Sequence, residues 1–177
     1  MTLVTVMDGD ITQVKADALI STIEVDALSS SGVDGAIHFV ADDMFHDQIA
    51  ANMPLRDGQV IATSAKSKGH NNGRFDNVLF VVDELEQPVE TLVAEALSEA
   101  ERLSFETVSI PPLRTGSRAG VRETQTEALV GLAIAIDEFV RTKPSQVKEI
   151  VVVVYNEDAQ KKLLMRTLIQ LGSSAVE

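Results

Sequence analysis

The chain has no cysteine among its 177 residues. Disulfide bonds, thiolate metal sites and cysteine nucleophiles are therefore excluded, and the composition fits a cytoplasmic protein. Tryptophan is also absent, and Tyr155 is the single tyrosine. No apolar run approaches the roughly 18 residues of a membrane-spanning helix, so we expect no membrane partner. The segment Met1–Thr12 has no basic stretch followed by an apolar core, so we also expect no signal peptide.

Positively charged residues are few: 15 Lys and Arg stand against 27 Asp and Glu, for a net charge of -12. Proteins that bind nucleic acid or anionic membranes need clustered Lys and Arg to neutralise phosphates. The basic clusters here are short, such as Lys66 with Lys68 and Lys161 with Lys162. We therefore expect no nucleic-acid partner. A small anionic ligand is compatible with this charge, because backbone N–H groups at helix starts bind phosphate without basic side chains.

The three histidines, His38, His46 and His70, do not have the spacing of metal ligands. We expect His38 to be a packed helix residue, and we expect neither a metal ion nor a cofactor. A serine nucleophile is not indicated either, because the chain has no Gly-x-Ser-x-Gly elbow.

The hydrophobic period switches repeatedly between that of a strand and that of a helix. Strands are predicted over Thr2–Met7, Asp17–Ile23, Gly58–Ala65, Asn77–Asp83, Glu106–Leu113 and Lys148–Tyr155. Helices are predicted over Val33–Phe45, Pro88–Leu103, Leu129–Val140 and Glu157–Leu171. About six strands and four helices that largely alternate indicate an α/β fold, with helices on both faces of the sheet. We interpret residues 1–177 as a single domain, since the length suits one domain.

Four segments follow predicted strands and carry the residues that suit a ligand site. They are Asp8–Thr12, Ser29–Gly35, Arg114–Gly120 and Val154–Asp158. In open α/β sheets, ligands bind beyond the carboxyl ends of the strands. Two of the segments are rich in small residues and lead into helices, which lets backbone N–H groups approach a phosphate closely. Together they predict a diphosphate held between them.

These motifs resemble those of the macro domain family, which is known for binding ADP-ribose. The resemblance runs in order over roughly residues 2–170. The matching segments are GDIT (Gly9–Thr12), GVDGAIH (Gly32–His38), GQVIATSA (Gly58–Ala65), TGSRAG (Thr115–Gly120) and VVVVYNED (Val151–Asp158). Membership would imply a three-layer α/β/α fold with a mixed six-stranded sheet.

The resemblance also implies roles for individual residues in a cleft that binds ADP-ribose or a related adenine nucleotide diphosphate. Asp10 would accept a hydrogen bond from the adenine amino group, and Tyr155 would stack on the adenine. Ile11 would line the same pocket, and Asn156 would lie at its rim. The first loop would wrap the diphosphate with Ser31, Gly32 and Val33, and the second would close over it with Thr115, Gly116, Ser117 and Arg118.

The second predicted strand departs from the family pattern. The family usually has VNAAN there, and this chain has ISTIE (Ile20–Glu24) when counted back without a gap from GVDG. Glu24 therefore takes the position of the second Asn, which orients the distal ribose and supports hydrolysis in active members. Asp34 matches the acid that activates water for ester hydrolysis in some members. The alternatives to simple binding are thus an ADP-ribosyl ester hydrolase that uses Asp34, with an ADP-ribosylated protein as its partner, and a diverged scaffold that has lost ADP-ribose binding.

Several of these residues also have a purely structural interpretation. Asp34 suits the first turn of a helix, where the dipole favours a carboxylate. Asp10 suits the cap of the turn that follows it, and Tyr155 suits a ring buried at the end of the sheet. Arg114 and Arg118 are interpreted either as solvated loop charges or as phosphate ligands.

Overall fold

The computed structural model describes residues 2–26, 32–65, 70–142 and 145–177. Its strands are β1 (Leu3–Asp8), β2 (Ala16–Ile23), β3 (Val60–Ser64), β4 (Phe75–Val82), β5 (Thr107–Ile110), β6 (Glu149–Val154) and β7 (Ala175–Val176). Its helices are α1 (Gly32–Ala41), α2 (Val89–Arg102), α3 (Gln125–Thr142) and α4 (Asp158–Leu171), with 3-10 helices at Ile11–Gln13 and His46–Asn52. None of the helices in these ranges is both long enough and apolar enough to cross a membrane.

The described strands form one sheet in the order β3-β4-β2-β5-β6-β1-β7, and β3 runs antiparallel to β4 while the other pairs are parallel. The predicted mixed sheet is confirmed, but it has seven strands rather than six. The additional strand, β7, pairs with Val4 and Thr5 of β1. Two residues are too few to show a hydrophobic period, so the sequence carries no signal for this edge strand.

Helices cover both faces of the sheet, which confirms the predicted three layers. Successive side chains of a strand point to opposite faces. Ile20 of β2 packs in the cluster that contains α2, α3 and α4, whereas its neighbour Leu19 packs in the cluster that contains α1 and the 3-10 helix His46–Asn52. In β6, residues 150–154 are all buried because helices lie over both of its faces. This burial explains the run of four valines.

The ends of two helices depend on single residues rather than on apolar spacing. The spacing predicts a helix over Val33–Phe45, but α1 ends at Ala41 because Asp42 has a φ of 48°, in the left-handed region that terminates helices. The helix α3 begins a turn before its predicted apolar face. There Oε2 of Glu127 accepts from the N–H of Thr124 at 2.8 Å, and Oγ1 of Thr124 accepts from the N–H of Glu127 at 3.1 Å. This capping box starts the helix.

The parallel strands end at a common edge of the sheet, which brings separate loops together. Here β1 ends at Asp8, β2 at Ile23, β5 at Ile110 and β6 at Val154. Pro111 follows β5 directly and has no N–H to donate to a neighbouring strand, so pairing stops there. The segments predicted to hold a ligand therefore lie side by side at this carboxyl edge.

Candidate functional site

A cleft of about 590 Å³ lies at the carboxyl edge of the sheet, a size usual for small-molecule sites. Glu24 and Asn156 are not among the described residues that line it, and Ser31 lies outside the described residues. The predicted site residues that do line it are Asp10, Ile11, Gly32, Val33, Asp34, Thr115, Gly116, Ser117, Arg118 and Tyr155. The fold thus gathers most of the predicted site from four distant parts of the chain.

The first turn of α1 forms one wall of the cleft. Gly32 has a φ of 61°, a conformation that side chains disfavour. Glycine therefore suits the backbone conformation at the start of this helix. Val33 and Asp34 follow at the positive end of the helix dipole, which favours an anion in front of them.

Asp34 is buried at the base of this wall and has an imidazole partner. Its side chain is 2% exposed, and its Oδ1 lies 2.7 Å from Nε2 of His46, whose side chain is 16% exposed. An ionised carboxylate only accepts hydrogen bonds, so Nε2 donates. The His46 ring in turn lies 5.1 Å, between centroids, from the buried ring of Phe80. The helix dipole is therefore not the only interaction that holds Asp34.

Four buried polar atoms on this side of the sheet have no hydrogen-bond partner among the described residues. They are Oδ2 of Asp34, Nδ1 of His46, and the hydroxyls of Ser21 and Ser109. Ser21 and Asp34 both line the cleft, and Ser21 is in register with Phe80 beneath the His46 ring. An unpaired polar group costs about 1–3 kcal/mol when buried, so these atoms favour a polar ligand or water at the cleft floor.

The second loop is anchored by a buried arginine. Nε and Nη2 of Arg114 donate to the two carboxylate oxygens of Asp83 at 2.9 and 2.7 Å. Nη1 donates to Glu123 at 2.8 Å, and Nη2 also donates to the carbonyl of Gln87 at 2.8 Å. The interpretation of Arg114 as a solvated loop charge is therefore wrong, and its donors are occupied by Asp83, Glu123 and the carbonyl of Gln87. The Arg114 guanidinium is hydrogen-bonded to two carboxylates, and the Arg114 backbone has a φ of 56°.

This network changes the ionisation of its members. Burial opposes the charge of Asp83, but hydrogen bonds from Arg114 and from the N–H of Leu85, with the positive charges of Arg114 and Arg118, outweigh burial and lower the pKa of Asp83 below its ordinary 3.8. Burial likewise opposes the charge of Arg114, while Asp83 and Glu123 outweigh it and raise the pKa of Arg114. Both groups are charged at neutral pH.

Acid is expected to weaken the fold through Asp83. Because its folded pKa is lowered, its stabilising contribution is full above the unfolded value of about 3.9 and is lost as pH falls through the folded value. We expect the free energy of unfolding, from urea titration, to fall as the pH drops below about 4. Asp83→Asn removes this group, so the fall should be smaller in that variant. An equal fall in both proteins would contradict the assignment.

Arg118 lies across the mouth of the second loop and is half-buried. Its Nη1 donates to the backbone carbonyl of Asp83 and lies 3.9 Å from Oε1 of Glu24. Glu24 directly follows β2, and its side chain is 49% exposed. The carboxylate in the position of the family's Asn therefore pairs with Arg118 at the edge of the cleft. The predicted catalytic role of Glu24 finds no support in this arrangement.

Asp10 and Ile11 form another part of the cleft lining. Oδ1 of Asp10 accepts from the N–H of Thr12 at 2.9 Å and from its hydroxyl at 2.8 Å. The structural interpretation of Asp10 as a cap is therefore confirmed. Both bonds end on Oδ1, so within the described residues Oδ2 of this exposed carboxylate is available to a ligand. Ile11 is buried and lines the cleft.

Tyr155 follows β6 and lines the cleft with 70% of its surface exposed. The interpretation of this residue as a ring buried at the sheet end is therefore wrong. Asn156 has a φ of 54°, and its N–H donates to Oδ1 of Asp8 at 2.9 Å. That bond turns the chain away after β6 and presents Tyr155 to the open side of the cleft. Asn156 itself has a backbone role here.

Three residues of the site were not identified from sequence: Asp83, His46 and Ser21. Asp83 had a usable signal, since it is a carboxylate that directly ends the apolar strand β4. His46 had none, because its partner Asp34 is twelve positions earlier and the rest of α1 and a turn separate the two residues. His38, expected to be packed, has a side chain that is 56% exposed and lies 3.2 Å from Asp43.

The sequence and the fold were compared with those of known proteins. No family model matches the chain. A macro domain-containing protein of Streptomyces nogalater is 32% identical over 169 residues, which are 90% of this chain and 88% of that protein. The macro domain of ganglioside induced differentiation associated protein 2 has a TM-score of 0.82 at 13% identity and covers 98% of this chain and 86% of its own. A Trypanosoma brucei macrodomain in complex with ADP-ribose has a TM-score of 0.78 at 20% identity, over 92% of this chain and 68% of that one.

Proposed function

This chain belongs to the macro domain family, and we propose that it binds ADP-ribose, or a related adenine nucleotide diphosphate, in the cleft at the carboxyl edge of its sheet. The observation that carries the proposal is the convergence of two small-residue segments on one cleft. Gly32 and Val33 open α1, and Thr115, Gly116 and Ser117 form the facing loop. Backbone N–H groups in such segments bind phosphate without basic side chains. A solved relative in complex with ADP-ribose gives independent support.

The two ends of the cleft suit the two ends of such a ligand. On one side, the free Oδ2 of Asp10 and the exposed ring of Tyr155 offer an acceptor and a stacking surface for adenine. On the other, Asp34 and Ser21 carry unpaired buried oxygens that suit the hydroxyls of the distal ribose. The diphosphate would then lie between the first turn of α1 and the second loop.

A thermal-shift panel tests this proposal, since ligands that bind only the native state raise its stability. We expect ADP-ribose to raise the melting temperature most, ADP less, and AMP least, with NAD and poly-ADP-ribose as comparators. At a ligand concentration of about 100 times Kd the gain is about 2.7 kcal/mol. Calorimetry then gives the affinity. No heat with millimolar ADP-ribose and an intact fold would reject the proposal and support a diverged scaffold.

Hydrolysis of an ADP-ribosyl ester is a second candidate, favoured by the placement of Asp34. Its carboxylate is fixed through Oδ1 by His46, and its Oδ2 is unpaired beside the cleft. A general base has to be held near the proton that it takes, and this arrangement provides such a base for an attacking water. Glu24 is not part of the arrangement, since it is not among the described residues that line the cleft and its carboxylate lies beside Arg118.

Asp34→Ala tests the hydrolase on a protein carrying ester-linked ADP-ribose. General-base catalysis contributes about 100- to 10,000-fold, so we expect release of ADP-ribose to fall at least about 100-fold. Affinity for free ADP-ribose, measured by calorimetry, should change far less than release does, because Asp34 is one of several contacts to the ligand, and this difference separates catalysis from binding. Release that is unchanged in the variant would show that Asp34 is not the base.

A further inference from the structure

We propose that His46 is a positioning and charge-neutralising residue of the cleft, which holds Asp34 and takes up a proton when the anionic ligand binds. This inference rests on the proposed function, because it concerns the same ligand in the same cleft. It adds a residue that does not line the cleft and that acts through Asp34. Its consequence is ligand binding that depends on pH in the neutral range.

The charged side chains that line the cleft make the binding of an anion electrostatically unfavourable unless a further positive charge lies nearby. Among the described lining residues, four carboxylates (Asp10, Asp34, Asp83 and Glu157) stand against two guanidinium groups (Arg114 and Arg118). Arg114 is committed to Asp83 and Glu123, and Arg118 lies beside Glu24. A diphosphate therefore enters a site whose positive side chains are already paired. Its repulsion from the Asp34 carboxylate is a cost that protonation nearby removes.

His46 is the group placed to remove that cost. Its Nε2 is 2.7 Å from the Asp34 carboxylate, and both side chains are largely buried, so their charges are poorly screened by water. A neutral His46 leaves the pair with the negative charge of Asp34, whereas a protonated His46 makes the pair neutral. Imidazole is the side chain that changes charge between about pH 5 and pH 8. Anion binding and proton uptake at His46 therefore favour each other.

The other titratable groups around His46 do not replace it. From α1, Asp34 makes the hydrogen bond, and His38 lies with its ring centroid 6.0 Å away. His38 has its own carboxylate, Asp43, at 3.2 Å and is mostly exposed. On the 3-10 helix, Asp47 is exposed, while β4 contributes the uncharged ring of Phe80. Among these described neighbours, His46 alone contacts a cleft-lining carboxylate.

Few groups of this chain can take up a proton near pH 7 when the ligand binds. It has three histidines and no cysteine, so imidazoles and the terminal amine are the only groups of an untagged protein that ordinarily titrate near pH 7. ADP-ribose itself is a suitable probe, because its diphosphate is esterified on both sides and stays fully ionised in this range. His38 and His70 are both exposed, and His38→Gln with His70→Gln leaves His46 as the sole imidazole.

The test is calorimetry of ADP-ribose binding to the untagged chain at pH 6, 7 and 8, in two buffers of different ionisation enthalpy at each pH. We expect uptake of a substantial fraction of one proton near pH 7, and a Kd that rises about fivefold to tenfold from pH 6 to pH 8. The His38→Gln, His70→Gln variant should keep both effects. In His46→Gln, which retains a donor for Oδ1 of Asp34, both should vanish and the affinity should match that of the unaltered chain at pH 8.

Each alternative result has a distinct meaning. Binding without proton uptake, in the unaltered chain or in the variant with His46 alone, overturns the inference while leaving the proposed function intact. Uptake that persists in a folded His46→Gln variant overturns it as well, since another group then carries the proton. If His46→Gln does not fold, the imidazole NMR signals of the variant with His46 alone decide, because they show whether this ring gains a proton when ADP-ribose binds. The absence of ADP-ribose binding at every pH overturns the proposed function and this inference together.

Discussion

Replacing Arg114 by methionine is expected to destabilise the protein by about 3–5 kcal/mol, the usual cost of breaking a buried ion pair on one side. Methionine keeps much of the apolar stem but leaves the Asp83 carboxylate, which is 1% exposed, without its bidentate partner. Urea unfolding measures the loss. Arg122→Met is the matched control in the same loop. Arg122 donates one exposed hydrogen bond to the carbonyl of Leu85 and lies 3.7 Å from Glu123, so its replacement should cost less than about 1 kcal/mol.

The double variant Asp83→Asn, Arg114→Met separates the ion pair from the general packing of the loop. It removes both buried charges, so we expect it to be more stable than Arg114→Met alone, with a coupling energy of about 1–3 kcal/mol. The two residues are 31 positions apart and join the ends of β4 and β5. Single variants whose losses simply add would show that the pair contributes no interaction of its own.

Tyr155→Ala is expected to weaken the binding of ADP-ribose by about 1–3 kcal/mol, the range found for a base stacked on an aromatic ring. In terms of Kd this is roughly fivefold to 150-fold. ADP and AMP should weaken by a similar factor, because they share the adenine. The fold should change by less than about 0.5 kcal/mol, since the ring is 70% exposed and packs little.

Two controls make the tyrosine result specific. Tyr155→Phe keeps the aromatic face and should retain nearly full affinity. Phe39→Ala removes another exposed aromatic ring, 87% exposed on α1 and absent from the cleft lining, and should leave binding unchanged. If Tyr155→Ala binds every adenine nucleotide as the unaltered chain does, the ring takes no part in recognition.

The polar motifs and the hydrophobic periods of the sequence predicted most of the fold. Alternating apolar segments predicted each of the four helices and six of the seven described strands, and the resemblance to macro domains that the motifs suggested is confirmed. The sequence did not predict the exact ends of the helices and strands, and it did not predict the short edge strand β7. Those depend on single backbone conformations, such as the φ of 48° at Asp42, and on pairing between residues far apart in sequence. Neither leaves a hydrophobic period behind.

The order of elements along the chain was enough to predict which segments follow the strands. Because parallel strands end at a common edge of the sheet, that order also predicts where those loops meet. It thereby identified the first turn of α1, the second loop, Asp10 and Tyr155 as neighbours. The three-dimensional contacts were needed to show which partner each charged side chain has. Arg114 and Arg118 read alike in the sequence, yet one is buried between Asp83 and Glu123 while the other reaches Glu24.

His46 is a second residue whose partner the sequence did not predict. In the folded chain it contacts Asp34, and its ring lies against Phe80. Electrostatic partners are set by distance and burial in three dimensions. A one-dimensional order of residues contains neither of these quantities.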